Sequence, residues 1–298
     1  MQLLIICQYN KMNWITFSSI MFVFSVIMYL TIRKLQKENI DNKVINFALF
    51  AGAALVLFIV MLLSGTSFTL TLAQAVILIV SSWLFSYLGN IFSLRGIREA
   101  PNPGYSLIIQ KSYAVYTAFA SVLLFGSSLT WQKLLAILVV VVFSGLVVIE
   151  TRKVKKELTA AWVIYSLLAF FMFGNLALRS KFLLNDGMNS LAITFYAILF
   201  ASVFFTLDLF KKPKLNLKIS KKNNLYLAII GISCAVFNYA MVQALVDAPN
   251  VAYVNIINAS SISALTILSA WLFKDKLTLR KLTGIFGVII GLLLLFLL

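Results

Sequence analysis

Long apolar runs, separated by short polar or basic connections, fill almost the whole chain. A helix that crosses a bilayer of about 30 Å needs roughly 20 apolar residues, and runs of this length recur throughout. They predict an all-α integral membrane protein with ten transmembrane helices, here called spans 1 to 10. The spans are predicted at 14–32, 44–63, 72–94, 104–125, 131–149, 160–181, 189–210, 225–246, 251–273 and 280–298.

Part of the first half of the chain returns in the second half. With a shift of 148 residues and no gaps, 14 of the 35 positions in 100–134 are identical in 248–282. Asn90 also falls on Asn238 under this shift. Two similar halves in a membrane chain favour a transporter whose site lies between them.

The composition supports a membrane protein and excludes several other classes. The hydrophobic fraction is 62% and the mean hydropathy is +0.99, whereas soluble domains are about 45–50% apolar. The chain has no histidine, nine Asp and Glu residues, and two distant cysteines, Cys7 and Cys234. We therefore predict no metal site, no cofactor and no catalytic group. The net charge of +16 indicates cytoplasmic connections in a chain this apolar, and we expect no nucleic-acid partner.

The basic residues predict an orientation. Twenty of the 25 Lys and Arg residues follow odd-numbered spans, and four lie on the opposite side. The positive-inside rule then places the odd-numbered connections in the cytoplasm and both termini outside, in a multi-pass protein of the plasma (cell inner) membrane. The bias is reversed between the two halves, which favours two inverted five-helix repeats (5+5).

The segments that close the two halves carry a family resemblance. APNPGYSLIIQKS leads to LLFGSSLTWQKL in the first half, and APNVAYVNIINASS leads to WLFKDKLTLRKL in the second. These segments resemble the EamA-like members of the drug/metabolite transporter superfamily. Asp275 stands where that family commonly has Glu, and Ser127 departs from the pattern in the first half.

The resemblance implies an organisation for the whole chain. An N-terminal extension at 1–13 would precede the first EamA-like repeat at 14–149, and a basic linker at 150–159 would lead to the second repeat at 160–298. Spans 3 and 4 would face spans 8 and 9 around a central cavity. Family members usually have both termini in the cytoplasm, whereas the charge distribution predicts the reverse.

Lys111 is the clearest charge inside a predicted span. It lies seven residues beyond Gly104, or roughly 10 Å into the span at 1.5 Å per residue. A charge in hydrocarbon costs at least about 2.5–3.5 kcal/mol, so a charged residue at this depth indicates a function or a specific environment. Lys111 faces a cavity and binds a carboxylate or phosphate of the substrate, or else its ammonium group snorkels to the nearer interface.

Amide side chains near Lys111 complete the predicted substrate site. Under the 148-residue shift, Gln110 corresponds to Asn258 and Asn90 to Asn238, and Asn255 shares one face of span 9 with Asn258. The alternative for each amide is a hydrogen bond between helices. Arg179 lies near the end of its predicted span and is interpreted as interfacial.

The acidic residues restrict the mechanism. All nine lie in connections or near span ends, so none occupies the mid-span position of a proton-relay acid. Glu150 and Asp208 lie close enough to the interface to leave proton coupling as an alternative. The sequence therefore predicts a secondary transporter that moves a small polar or anionic metabolite, or a drug-like solute, by alternating access. The alternatives are a flippase for a lipid-linked sugar and an integral membrane enzyme that modifies lipids.

The expected partners are a small-molecule substrate and the lipid bilayer. Gly287 and Gly291 form a small-residue face on span 10. Such a face favours close packing within the protein or, as the weaker alternative, a homodimer.

Overall fold

The computed structural model describes residues 13–100, 103–148, 161–210, 220–274 and 277–297. The predicted linker, Asp275 and all but one residue of the predicted N-terminal extension lie outside these ranges. Within them, nine helices are long and apolar enough to cross a membrane, and Trp131–Val147 is a further, shorter apolar helix. The predicted all-α membrane architecture is confirmed.

The helices follow the predicted spans closely, and two of them are irregular. They are α1 (Trp14–Lys37), α2 (Asn42–Ser64), α3 (Leu72–Ser81, Ser82–Leu88 and Gly89–Glu99), α4 (Pro103–Lys111 and Tyr113–Phe125), α5 (Trp131–Val148), α6 (Ala161–Asn185), α7 (Ser190–Phe210), α8 (Lys221–Asp247), α9 (Val251–Phe273) and α10 (Leu279–Leu297).

Local sequence signals explain where several helices begin and end. Thr71 and Gln74 form a capping box at the start of α3, and the Ser220 and Asn250 side chains accept hydrogen bonds from the first turns of α8 and α9. These caps satisfy backbone N–H groups that have no partner within the helix. Helix α2 ends at Gly65, whose φ of 64° is a left-handed conformation that glycine adopts without strain.

Helix α3 has a π-helical middle segment, Ser82–Leu88. Within it, the Ser82 hydroxyl donates to the Ala197 carbonyl of α7 at 3.1 Å. A π-helical turn changes which residues face each neighbour, and such turns are frequent at functional sites. The segment ends two residues before Asn90, one of the predicted site residues.

Helices that correspond under the 148-residue shift have corresponding neighbours. Helix α3 packs on α6 and α8 packs on α1, while α4 contacts α6 and α9 contacts α1. The pairs α2 with α7, α4 with α9, and α5 with α10 pack against each other. The helices of the two halves are therefore interleaved in one bundle.

Small residues bring some of these helices into close contact. A Cβ atom added at Gly231 of α8 would lie 3.0 Å from the Gly52 Cα of α2. On α10, a Cβ at Gly287 would overlap the Phe143 ring of α5, and one at Gly291 would lie 2.6 Å from Val140 Cγ2. The small-residue face of α10 is thus occupied by α5 of the same chain, as expected for packing within the protein.

The bundle has two ends, which are named here for the description that follows. At the basic end, α1 ends and α2 begins, and the Lys43 ammonium group of α2 meets the Asp208 carboxylate of α7 at 3.1 Å. At the opposite end, α1 begins and α10 ends, and the Trp14 ring lies 6.2 Å from the rings of Tyr253 and Phe296.

Candidate functional site

Two adjoining cavities lead from the basic end into the bundle. The outer cavity has a volume of about 1040 Å³ and the inner cavity about 230 Å³. Met28, Tyr29, Leu49 and Asn90 line both cavities, so the two meet at these side chains. The inner cavity therefore lies behind the outer one, deeper in the bundle.

Basic side chains surround the outer cavity. Arg33 at the end of α1, Lys274 at the end of α9, and Arg280 and Lys281 at the start of α10 line it. The Arg33 guanidinium group lies 4.9 Å from the centre of the Phe273 ring. Among the described residues, no Asp or Glu lines this cavity. A rim of one sign of charge raises the local concentration of anions.

The inner cavity contains two cationic side chains, Lys111 and Arg179. Lys111 ends the first segment of α4, and its ammonium group makes no hydrogen bond or ion pair within the described part of the chain. The Arg179 Nη1 donates to the Ser81 hydroxyl of α3 at 2.9 Å, and Nη2 donates to the Ser180 hydroxyl at 3.4 Å. The Arg179 Nε is buried and has no partner among the described residues.

No described Asp or Glu lines the inner cavity. The cavity therefore combines two positive charges with no fixed negative charge, in the part of a protein that the bilayer surrounds. Such charges are costly in this environment, and intramembrane cations are normally paired or face a water-filled path. The arrangement is suited to an anion that enters from outside the protein.

Asn90 and Asn238 line the inner cavity with the same local geometry. The Asn90 Nδ2 donates to the Ser86 carbonyl at 2.7 Å, and the Asn238 Nδ2 donates to the Cys234 carbonyl at 2.8 Å. Each bond runs back by four residues along its own helix, and the two pairs correspond under the 148-residue shift. Because one amide hydrogen of Asn90 is used in this way, its second hydrogen and its carbonyl oxygen are available to a ligand. The Asn238 Nδ2 also donates to the Cys234 Sγ at 3.3 Å, so Asn238 offers its carbonyl oxygen.

The other predicted amides lie in different surroundings. Asn258 lines the inner cavity beside Tyr113. Gln110 is buried among the serines of a helix contact, where its Oε1 accepts from the Ser93 hydroxyl at 2.7 Å. Asn255 is also buried, and its Nδ2 donates to the Thr117 hydroxyl of α4 at 3.0 Å. Neither Gln110 nor Asn255 is among the described residues that line the two cavities.

Arg179 was only a weaker candidate in the sequence, where an interfacial position was preferred, and the structure places it at the inner cavity. The predicted span ended at 181, which placed Arg179 at the membrane surface. In the structure, α6 continues to Asn185, and Arg179 lies against α3 inside the bundle. A signal for this position exists in the sequence, because the residues after Arg179 remain apolar enough to continue the helix.

At the opposite end of the bundle, hydrogen bonds join the two halves of the chain. The Asn250 Nδ2 donates to the Ala118 and Ser128 carbonyls at 3.3 and 3.5 Å, and the Tyr253 hydroxyl donates to the Ser128 carbonyl at 3.2 Å. The Gln74 Nε2 also donates to the Asp186 carboxylate at 3.1 Å. These bonds join α3, α4 and their turns to α6 and α9.

Comparisons with known proteins agree with this architecture. The model of the EamA-like transporter family matches residues 160–297. A protein of Archaeoglobus fulgidus described as an uncharacterized transporter is 24% identical over 228 residues, which cover 76% of this chain and 77% of the relative. A crystal structure of a protein is similar with a TM-score of 0.77 and 12% identity, and the match covers 95% of this chain and 98% of that chain. At this identity, the last likeness concerns the fold alone.

Proposed function

Since this chain belongs to the drug/metabolite transporter superfamily, through its EamA-like segment, we propose that it moves a small anionic metabolite across the membrane by alternating access. It is a multi-pass membrane transporter, and we place it in the plasma (cell inner) membrane. The two moving units are the inverted repeats at 14–149 and 160–298, joined by the linker at 150–159.

The observation that carries the choice of an anion is the pair Lys111 and Arg179 in a cavity without a described carboxylate. A bound anion would supply a counter-charge to these two cations, for which no ion pair is found among the described residues. A charged hydrogen bond contributes about 1.5–3 kcal/mol, so the two cations can supply useful affinity. A cationic substrate would be repelled by the basic residues of the outer cavity and by Lys111 and Arg179 in the inner cavity.

The contacts of the bundle support two inverted repeats. The neighbours of α3 and α4 correspond to those of α8 and α9 under the 148-residue shift. Asn90 and Asn238 make the same backbone bond on α3 and α8. In transporters built from inverted repeats, the substrate binds where the repeats meet near the bilayer midplane. Lys111, Asn90, Asn238 and Asn258 are therefore the proposed substrate contacts, and Arg179 joins them.

Alternating access is supported by the unequal ends of the bundle. The outer cavity connects the inner cavity to the basic end. At the opposite end, the start of α9 is hydrogen-bonded to α4 and to the turn after it. A transporter of this type exposes its site to one side at a time. By the positive-inside prediction, the open side in this structure is the cytoplasmic side.

Transport by purified protein in liposomes tests the proposal. Uptake of labelled anionic, zwitterionic and cationic metabolites is measured in counterflow, for the wild type and for Lys111→Met. We expect uptake of an anion by the wild type and at least a tenfold loss in the variant, because a charged contact of about 1.4 kcal/mol corresponds to a factor of ten.

A matched control separates the site from the overall charge. Lys221→Met removes one exposed lysine at the start of α8 and should leave uptake unchanged. Equal uptake by Lys111→Met and the wild type would contradict the assignment of Lys111. Uptake of cations in preference to anions would contradict the proposed substrate class.

A further inference from the structure

We propose that Arg33 and Lys181 are a matched pair of residues that stabilise the two closed ends of the bundle in turn. Lys181 binds the end of α8 in this structure, and Arg33 binds the end of α3 when the basic end closes. This inference rests on the proposed alternating access and adds the side chains that stabilise each state.

Lys181 of α6 joins two helices of the second half at the opposite end. Its Nζ donates to the Leu245 carbonyl at 2.8 Å and to the Val246 carbonyl at 3.2 Å. Both carbonyls belong to the last turn of α8, which ends at Asp247. A cation at this position compensates the partial negative charge of a helix C-terminus and satisfies carbonyl groups that have no partner within the helix.

A proline explains why the Leu245 carbonyl takes a donor from another helix. In an α-helix this carbonyl would accept from the N–H four residues later. That residue is Pro249, which has no N–H. The first half repeats this arrangement, because Pro101 lies four residues after Ile97 near the end of α3. The Ile97 carbonyl therefore also lacks the donor that would continue its helix.

The two helix ends have the same backbone geometry. Ala100 follows α3 with φ −61° and ψ 144°, and Ala248 follows α8 with φ −65° and ψ 129°. The Ala100 N–H donates to the Gly96 carbonyl and the Ala248 N–H to the Ala244 carbonyl, four residues back in each case. The end of α3 therefore presents the same carbonyl acceptors as the end of α8.

Arg33 is the counterpart of Lys181 under the 148-residue shift. The shift carries 14–37 of α1 onto 162–185, and α6 covers Ala161–Asn185. The two side chains nevertheless lie in different surroundings. Lys181 contacts α8, whereas Arg33 lines the outer cavity together with Leu94 of α3. The first half thus holds a cationic donor and its matching helix end on the walls of the same cavity.

The two halves contain the same parts in two arrangements. Helix α6 packs against α8, whereas the outer cavity separates α1 from α3. When the first half takes the arrangement of the second, α1 moves against α3, and Arg33 reaches the carbonyls of Ile97 and Arg98. The reverse change in the second half releases Lys181 from α8. One end then closes as the other opens, which is the requirement of alternating access.

Cysteine labelling in detergent, without substrate, measures the opening of the opposite end. The reporter is a cysteine introduced at Ala118, in a chain whose Cys7 and Cys234 are replaced by alanine. Ala118 is fully buried, and its counterpart Thr266 lines the outer cavity, so the reporter should react with a maleimide only when the opposite end is open. A cysteine introduced at Ala201, which is buried in α7, reports on unfolding in a parallel sample.

The two cation variants should change the labelling rate at position 118 in opposite directions. Arg33→Gln removes the contact that closes the basic end and should slow labelling by about threefold or more, and Lys181→Gln should speed it by a similar factor. The double variant should label at nearly the wild-type rate. Arg33→Lys keeps a cationic donor and should behave as the wild type. Damaged folding would speed labelling at positions 118 and 201 together, so it would not produce the slower reaction.

The outcomes separate this inference from the proposed function. Labelling at position 118 that is unchanged or faster in Arg33→Gln, or equally slow in Arg33→Lys, would overturn the pairing of Arg33 with α3. Faster labelling at both reporter positions in Lys181→Gln would assign Lys181 to stability and overturn its part in closure. A reporter at position 118 that reacts in no variant, while the protein still exchanges anions in liposomes, would overturn the exchange of arrangements. Opposite changes in labelling without any uptake of anions would uphold the pair and overturn the proposed substrate class.

Discussion

The two ends of the bundle differ in how the halves of the chain meet. At the opposite end, the start of α9 is buried against α4, and Asn250 and Tyr253 donate hydrogen bonds to carbonyl groups of the first half. At the basic end, the outer cavity separates helices of the two halves. There, the described contacts include the partly exposed ion pair of Lys43 with Asp208.

In the proposed alternating-access cycle, this difference identifies the contacts that would have to change. Buried hydrogen bonds of neutral groups hold the opposite end closed, and an ion pair in contact with water contributes little at the basic end. Opening the opposite end requires the α9 bonds to break. The counterparts of Asn250 and Ser128 under the 148-residue shift are Asn102 and Lys276, which lie outside the described residues.

The largest expected effect comes from breaking the close backbone contact between α2 and α8. Gly231→Leu would force a side chain into the backbone of α2, whose Gly52 Cα and Ala48 carbonyl oxygen lie 3.0 and 3.2 Å from a Cβ at this position. We expect the free energy of unfolding to fall by about 3 kcal/mol or more. The added side chain would meet backbone atoms, which cannot change rotamer to make room for it.

Thermal denaturation in detergent measures this loss. Ile232→Leu is the matched control, since Ile232 follows Gly231 on α8 and is 48% exposed. It should change stability by less than about 0.5 kcal/mol. A stable Gly231→Leu variant would show that α2 and α8 can separate without cost, and would contradict a tight contact between these helices.

Asn250→Ala should loosen the opposite end. It removes the cap of α9, in which Oδ1 accepts from the Ala252 N–H at 2.9 Å, and the bonds to the Ala118 and Ser128 carbonyls. We expect a destabilisation of about 1–2 kcal/mol. We also expect faster reaction of a cysteine introduced at Ala248, which is buried at this end, with a membrane-impermeant maleimide.

The labelling uses a chain in which Cys7 and Cys234 are replaced by alanine. Asn250→Asp is the matched control, because it keeps the cap acceptor and removes the donor to the two carbonyls. The cysteine at position 248 is labelled in the Asn250→Asp variant and in the chain that keeps Asn250. If the two labelling rates are equal, the bonds from Asn250 to the Ala118 and Ser128 carbonyls do not hold this end closed.

Tyr253→Phe tests the same end with a smaller change. It removes the bond to the Ser128 carbonyl and keeps the ring beside Trp14 and Lys133. We expect a loss of about 0.5–1.5 kcal/mol in stability and intermediate labelling at position 248. Tyr226→Phe on α8 is the control at the basic end. Equal labelling of Tyr253→Phe and the wild type would assign the closure to Asn250 alone.

Lys43→Met should have the smallest effect. The side chains of Lys43 and Asp208 are 34% and 31% exposed, and ion pairs in contact with water contribute about 0–1 kcal/mol. We expect a small decrease in melting temperature that disappears at high salt, because salt screens exposed charges. A loss larger than that of Asn250→Ala would reverse the proposed ranking of the two ends.

Most of the fold could be predicted from the sequence because each helix must be apolar along its whole length. The ten predicted spans overlap the observed helices, and their boundaries differ most where polar ends continue a helix, as at Lys37 and Glu99. The π-helical segment of α3 and the irregularity at Ser112 of α4 were not predicted. They depend on contacts with other helices, such as Ser82 with α7.

The candidate site could be predicted only in part. Lys111, Asn90, Asn238 and Asn258 line the inner cavity, and their contact with substrate stays a prediction. Gln110 and Asn255 are equally polar, yet they lie in helix contacts with Ser93 and Thr117. Nothing in the local sequence separates the two groups, because the rotation of each helix about its axis decides which of its faces meets the cavity.

The sequence by itself determined the class of protein, the number of helices and the presence of related halves, because burial in a bilayer imposes a length and a composition on every span. The tertiary structure decided which polar groups converge. Arg179 joined Lys111 only because α6 packs against α3 and brings the guanidinium group to Ser81. Contacts between helices distant in the chain fix these positions, and no short segment of sequence encodes them.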